Sequence, residues 1–270
     1  MKTSDTSLQD QIKALGPWHH TIELCEGVWT GTERSLDHVG SRPRLVKPAQ
    51  RFDAQISKAL PDGLQGRSFL DCACNGGGYC FAAKDRGAGR VLGFDIREHW
   101  INQAMFVAET RQADSSGIEF KVADLLDLGS LDEMFDVTWF SGLFYHLPDP
   151  VTGLKLAADR TRELILVSSA CAWLQEGESE VPSLQYKWEG TEQVMSGVYN
   201  LSWHPSGPQV LKNVLKWMGF PEARTVSWVQ KEKTEVKSER HRFIGRVAVL
   251  AAREPGRLDE VSDIDAPNFK

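Results

Sequence analysis

The sequence predicts an α/β fold with a mainly parallel seven-stranded sheet closed by an antiparallel edge. Three observations carry this. Short apolar runs alternate with helical patterns through the middle of the chain, the mark of βαβ units. The first run, Ser68–Cys72, leads into three consecutive glycines, Gly76, Gly77 and Gly78, and then an amphipathic segment, a strand–loop–helix signature. Successive runs end in Asp71, Asp95, Asp124 and Ser141, and in open parallel sheets ligands sit beyond such carboxyl ends.

With 270 residues and 41% hydrophobic content, the chain suits one α/β domain with additions. No apolar run reaches about 18 residues, so no membrane span is expected. The polar stretch Met1–Gln11 lacks a signal core, which points to a cytoplasmic chain. The net charge of −6 argues against a general nucleic-acid binder. Arg42, Arg44, Lys47 and Arg51 form a local basic stretch, read as a solvated lead-in to a helix or as a contact for RNA. Cys25, Cys72, Cys74, Cys80 and Cys171 are an odd set without disulfide or zinc spacing, so small buried reduced thiols and no metal are expected.

Residues 1–16 read as a weakly helical lead-in. Trp18 to Leu24 and Val28-Trp29 read as a hairpin or extended cover. Within residues 1–44, Trp18 and His20 suggest a lid over substrate; ordinary surface packing is the alternative. Phe52, Ile56 and Leu60 mark a helix ended by Pro61-Asp-Gly63. After the Ser68–Cys72 strand, a helix runs from Tyr79 to Arg86, with the glycines letting backbone approach a ligand. A strand at Val91–Asp95 comes next, then a helix with Ile101, Ala104, Met105 and Ala108 on its apolar face. Further strands are expected at Ile118–Asp124, Phe135–Phe140 and Glu163–Ser168, with a helix at Val151–Arg160. Residues 170–206, with Trp173, Tyr186, Trp188, Tyr199 and Trp203, are too long for a plain connection and too aromatic for a linker. They read as a cap over the pocket mouth. Val210, Val214, Trp217 and Met218 mark a helix, and strands near Thr225–Val229 and Phe243–Ala251 close the sheet. From Glu254 the acidic, sparse tail reads as disordered.

The stretch Phe135-Asp-Val-Thr-Trp-Phe-Ser-Gly-Leu-Phe-Tyr-His-Leu-Pro-Asp-Pro150, with Tyr199–Ser206 and Trp217-Met-Gly-Phe220, resembles the class I S-adenosylmethionine (SAM) methyltransferases. It is most similar to the branch of tRNA wobble-uridine oxyacetate carboxymethyltransferases and their small-molecule relatives. The resemblance covers residues 45–253 and implies a Rossmann-like class I methyltransferase fold. It implies that the loop of Asp71, Ala73, Asn75, Gly76 and Gly77 passes the methionine part of SAM. Asp95 would take the ribose hydroxyls, Ile96 would pack on adenine, and Asp124 and Leu125 would meet its amino edge. Ser141 ends the fourth strand of this set.

His146 and Tyr145, after that strand, are the candidate catalytic pair, His146 as a base or as a brace for its loop. Trp203 and His204 join Trp18 and His20 as candidate substrate contacts. Arg246 lies near the branch's C-terminal arginine, while no counterpart of its N-terminal lysine is found, which favours plain SAM over a carboxylated cofactor. The expected acceptor is a small molecule methylated at oxygen, with tRNA, or a catalytically idle SAM sensor, as alternatives. A monomer or homodimer is expected.

Overall fold

A computed structural model describes residues 7–31, 46–172, 181–191, 195–230 and 245–269. Arg42, Arg44 and Trp173 lie outside them. The chain starts with helix α1 (Leu8–Ala14) and a small hairpin, β1 (Glu23–Cys25) and β2 (Val28–Trp29), followed by α2 (Pro48–Ile56). The central part alternates: β3 (Ser68–Cys72), α3 (Gly78–Asp85), β4 (Arg90–Asp95), α4 (Glu98–Arg111), β5 (Ile118–Val122), β6 (Phe135–Ser141), α5 (Pro150–Asp159) and β7 (Thr161–Cys171). A second hairpin, β8 (Leu184–Trp188) and β9 (Leu201–Pro205), precedes α6 (Pro208–Trp217), β10 (Glu222–Gln230), β11 (Gly245–Ala252) and β12 (Asn268–Phe269).

The main sheet has eight strands in the order β12-β10-β11-β7-β6-β3-β4-β5. β3 to β7 run parallel to one another. β11 is antiparallel to β7 and to β10. The order reverses between β3 and β6, because the chain moves outward through β4 and β5 and then returns to the other side of β3. This is the switch point at which loops on the two sides diverge and leave a crevice.

The central strands are buried on both faces, which explains their unbroken apolar runs. Phe69, Leu70 and Cys72 of β3 and Trp139 and Phe140 of β6 are all fully buried. On one face Phe52 of α2 stacks on Trp139 at 5.2 Å, and Tyr79 of α3 packs on the same ring at 4.6 Å. On the other, Leu154 of α5 and Leu211 and Leu215 of α6 pack against Phe140, Ile165 and Val249. A third cluster of Ile12, Trp18, Ile22, Leu24, Phe81 and Val107 fastens the N-terminal extension onto α3 and α4.

Several expectations are corrected. The acidic tail is packed: Leu258 and Val261 enter the core, Ile264 N–H donates to Thr225 O at 2.9 Å, and β12 adds a parallel edge to β10. Its charges had masked two apolar anchors three residues apart, and Asp263 is neutralised by Lys212 at 2.7 Å. β10 is therefore interior, and the edge falls to β12. Met105 is 47% exposed and Trp217 69% exposed; the buried face of α4 runs through Trp100, Ile101, Gln103, Ala104 and Val107 instead. Cys25 is exposed, while the other four cysteines are buried, with burial raising Cys74 to about 11 and Cys171 to about 12. Among the described residues no helix is long and apolar enough to cross a membrane.

Candidate active site

A cavity of about 540 Å³ opens at the carboxyl ends of β3, β4, β5 and β6. Asp71, Ala73 and Asn75 come from the end of β3 and its loop, Asp95 and Ile96 from the end of β4, Asp124 and Leu125 from beyond β5, and Ser141, Tyr145 and His146 from the end of β6 and its loop; all line it. The loop after β3 turns sharply because Ala73, Asn75 and Gly77 all take positive φ (58°, 51° and 77°). Asn75 tolerates that region through its short polar side chain, which accepts the Gly76 N–H at 2.8 Å.

The three glycines also allow close packing behind the loop. A Cβ at Gly76 would meet Gln103 Oε1 at 3.2 Å, and one at Gly77 would stand 2.7 Å from Phe120. One at Gly78 would stand 2.4 Å from Pro48. They let α4, β5 and the N-terminal segment close on the loop, and neither Gly76 nor Gly77 lines the cavity.

Asp95 is 6% exposed, and its two oxygens accept the backbone N–H groups of Asn75 and Arg97, each at 3.0 Å. Burial raises its pKa against those hydrogen bonds. A carboxylate has about four acceptor sites, so these donors leave capacity for hydroxyls. Beside it Ile96 is 44% exposed, an apolar surface at the cavity wall. Asp71 is fully buried; burial, with Asp95 nearby, pushes its carboxyl well above the usual range against a contact from the Cys80 thiol. Asp124 is already engaged: one oxygen caps the short helix Leu125–Ser130 through Leu126 N–H, and the other accepts Tyr199 Oη–H at 2.8 Å.

That contact belongs to the cap. Met195 to Tyr199 line the cavity, and Ser196 O accepts Arg97 Nη2–H at 2.5 Å. At the back wall Arg246 Nη2 lies 3.3 Å from Tyr145 Oη, and the phenol beside it raises the guanidinium pKa. Arg51 reaches the same wall from α2, next to Tyr79. His19 stands there too, lowered to about 4 by burial and then by Arg246 and Arg51, so it is neutral near pH 7. His146 is held by Glu189, Nδ1 to Oε2 at 2.7 Å.

The other expected substrate contacts are engaged within the protein. Trp18 is buried in the N-terminal cluster, its Nε1–H donating to Ile12 O at 2.7 Å. His20 touches the cavity, but its Nδ1 accepts the Gly78 N–H at 3.2 Å and so caps α3; burial keeps it neutral. Trp203 donates to Pro148 O at 3.0 Å and packs on Tyr186, while Trp188 is 78% exposed. His204 is buried under Tyr145, with its pKa lowered to about 3 by burial, then by Lys187. Neither Trp203 nor His204 lines the cavity.

Sequence reasoning missed Arg51, Tyr79, Arg97 and Glu189 as members or supports of this site. Arg51 carried a signal: a cation one position before the buried Phe52, on the helix preceding the glycine loop. Glu189 carried none, because only the hairpin geometry brings it to His146.

The methyltransferase domain family matches residues 64–221, the span from the turn before β3 to the end of the α6 turn. The chain belongs to this family. The methyltransferase domain here is built on the Rossmann-like class I fold, whose cofactor is SAM. Among its relatives, the tRNA U34 carboxymethyltransferase of Cellvibrio japonicus is 27% identical over 235 residues, 83% of this chain and 63% of that protein. That of Nautilia profundicola is 26% identical over 180 residues, 66% of this chain and 54% of that protein. The chain thus matches between about half and just under two thirds of these relatives' length. The N-terminal domain of EvdMO1 with S-adenosylhomocysteine (SAH) bound superposes with a TM-score of 0.68 at 22% identity, covering 94% of this chain and all of that one. Magnesium protoporphyrin IX methyltransferase from Synechocystis PCC 6803 with SAH gives 0.51 at 18%, covering 76% and 83%. At such identities both speak for the fold.

The methyltransferase domain has residues that fit SAM. Asp95 keeps acceptor sites for a diol at the end of β4, and Ile96 offers an uncovered apolar face next to it.

Proposed function

We propose that the chain transfers a methyl group from SAM to an oxygen of a small-molecule acceptor, with His146 taking the acceptor's proton. The observation that carries this reading is the capped cavity at the switch point, with His146 in its wall. A volume near 540 Å³, lined in part by Met195 to Tyr199, suits a cofactor with a compact acceptor.

Asp95 would hold the ribose hydroxyls, Ile96 and Leu125 would flank adenine, and the Ala73–Asn75 backbone would pass the amino-acid end. SAM, when bound, supplies a methyl on a sulfonium, whose thioether departs without acid assistance. The protein's tasks are therefore alignment of the acceptor and removal of its proton. Tyr145, in contact with both His146 and Arg246, is placed to orient the acceptor.

A second reading is favoured by one observation. Arg51, next to Tyr79, and Arg246, next to Tyr145, both line the cavity, and Arg51 would serve as the cation not found in the sequence as a lysine. Two guanidiniums there would suit a carboxylate, and relatives are named tRNA U34 carboxymethyltransferases. Against tRNA stand the net charge of −6 and the inward position of Arg51, which takes one cation from the basic stretch.

The test pairs calorimetry with SAM and carboxy-SAM against SAH release in the presence of small hydroxylated acceptors, including the D-fucose named with EvdMO1, or of tRNA. The proposal expects SAM to bind at least as tightly as carboxy-SAM, and turnover with a small alcohol. Carboxy-SAM binding more than tenfold tighter, with transfer to tRNA, would overturn it. Binding without turnover on any acceptor would also count against it.

A further inference from the structure

We infer that Glu189, at the end of β8 on the hairpin beside the cavity, is a positioning residue that fixes the tautomer of His146. The inference rests on the methyl-transfer reading and deepens it. Glu189 directly follows β8, and its N–H donates to Asn200 O at 2.9 Å, which sets its place on the hairpin end. From there its Oε2 meets His146 Nδ1 at 2.7 Å, with both side chains largely withdrawn from solvent.

A carboxylate can only accept, so neutral His146 must carry its proton on Nδ1. The lone pair is then on Nε2, the nitrogen that an acceptor hydroxyl would have to meet. As the new O–CH3 bond forms and the S–CH3 bond breaks, the hydroxyl proton passes to Nε2. The imidazolium is then stabilised by the Glu189 carboxylate beside it. Without Glu189 the ring can carry its proton on either nitrogen, and each molecule with Nε2–H presents a donor where an acceptor is needed.

The fit is close. A Cβ on Gly197 of the cap would stand 2.9 Å from Glu189 Oε2 and 3.0 Å from His146 Nδ1. Two further contacts fix the cap at the same rim, Tyr199 on Asp124 and Ser196 on Arg97. The orientation of the base and the placement of the hairpin are thus one arrangement.

The experiment uses the full chain labelled with ¹⁵N-histidine and saturated with SAH, with the His146 signals assigned through His146→Gln. Nitrogen shifts report which ring nitrogen is protonated. The expected result is Nδ1–H in the wild type, retained in Glu189→Gln, whose side-chain carbonyl still accepts, and lost to a mixture in Glu189→Ala. SAH affinity, measured by calorimetry, should change less than threefold in both variants. An Nε2–H tautomer in the wild type, or an unchanged pattern in Glu189→Ala, would overturn the inference. Failure of SAH to bind the wild type would instead overturn the methyl-transfer reading beneath it.

Discussion

Asp95 is the polar side chain on which cofactor affinity should depend most. Its carboxylate is already ordered by two backbone N–H groups, so ribose hydroxyls meet acceptors that need no rearrangement. A hydrogen bond to a charged group contributes about 1.5–3 kcal/mol. Asp95→Ala should therefore weaken SAM binding by about ten- to a hundredfold in calorimetry. Unchanged affinity in a folded variant would mean that the diol lies elsewhere. The buried histidines make a second prediction at this scale. His204 has a folded pKa of about 3 against an ordinary 6.5, so between those values the unfolded chain binds more protons. Its neutral form is fully compatible with folding above pH 6.5, and stability is lost as pH falls below that, by at most about 1.4 kcal/mol per pH unit. His19 and His20 act in the same direction, and Asp71, with its raised carboxyl, in the opposite one. The melting temperature should thus fall from pH 6.5 to pH 4.5 less steeply in His204→Gln than in the wild type. Parallel curves would contradict the assignment of that burial cost to His204.

The glycine loop shows how an element can be located correctly while part of its reason stays hidden. Ser68–Cys72 was legible as a strand because an apolar run ending at small residues has few other uses, and α3 was legible from the apolar face of Tyr79 to Ala83. The packing reason for the glycines was not legible, since it depends on Phe120, Gln103 and Pro48, which are distant in sequence. Gly78→Ala tests this. Its Cβ would press on Pro48 and, at 2.7 Å, on His20 Nδ1, both outside α3. Overpacking of this kind costs about 1–3 kcal/mol, and chemical denaturation should register that loss; an unchanged midpoint would mean that the N-terminal segment yields without cost. The cap illustrates the converse. Its aromatic residues announced an insertion, yet Trp203 braces Pro148, Trp188 faces solvent, and it is Tyr199 that reaches the site, through Asp124. Composition indicates that a segment is folded, but which of its side chains turns inward depends on hairpin register. The tail was misjudged for a related reason, because average acidity concealed Leu258 and Val261.

At the scale of the molecule, the strand order explains why scattered residues converge. Reversal between β3 and β6 opens the crevice, and every parallel strand from β3 to β6 delivers its carboxyl end to it. The periodic part of the chain was legible for this reason: Asp71, Asp95, Asp124 and Ser141 are set by the sheet and reappear in the wall. Residues contributed by additions to the sheet, namely Arg51 and Glu189, required the three-dimensional arrangement. Met195 to Tyr199 and Arg51, from the additions, and Arg246, from β11, bound the cavity together. The central claim is that this capped cavity binds SAM, and titration calorimetry of the full chain with SAM and SAH tests it most directly. The account predicts one site per chain for each ligand, with binding weakened in Asp95→Ala; no heat of binding at millimolar SAM would contradict it.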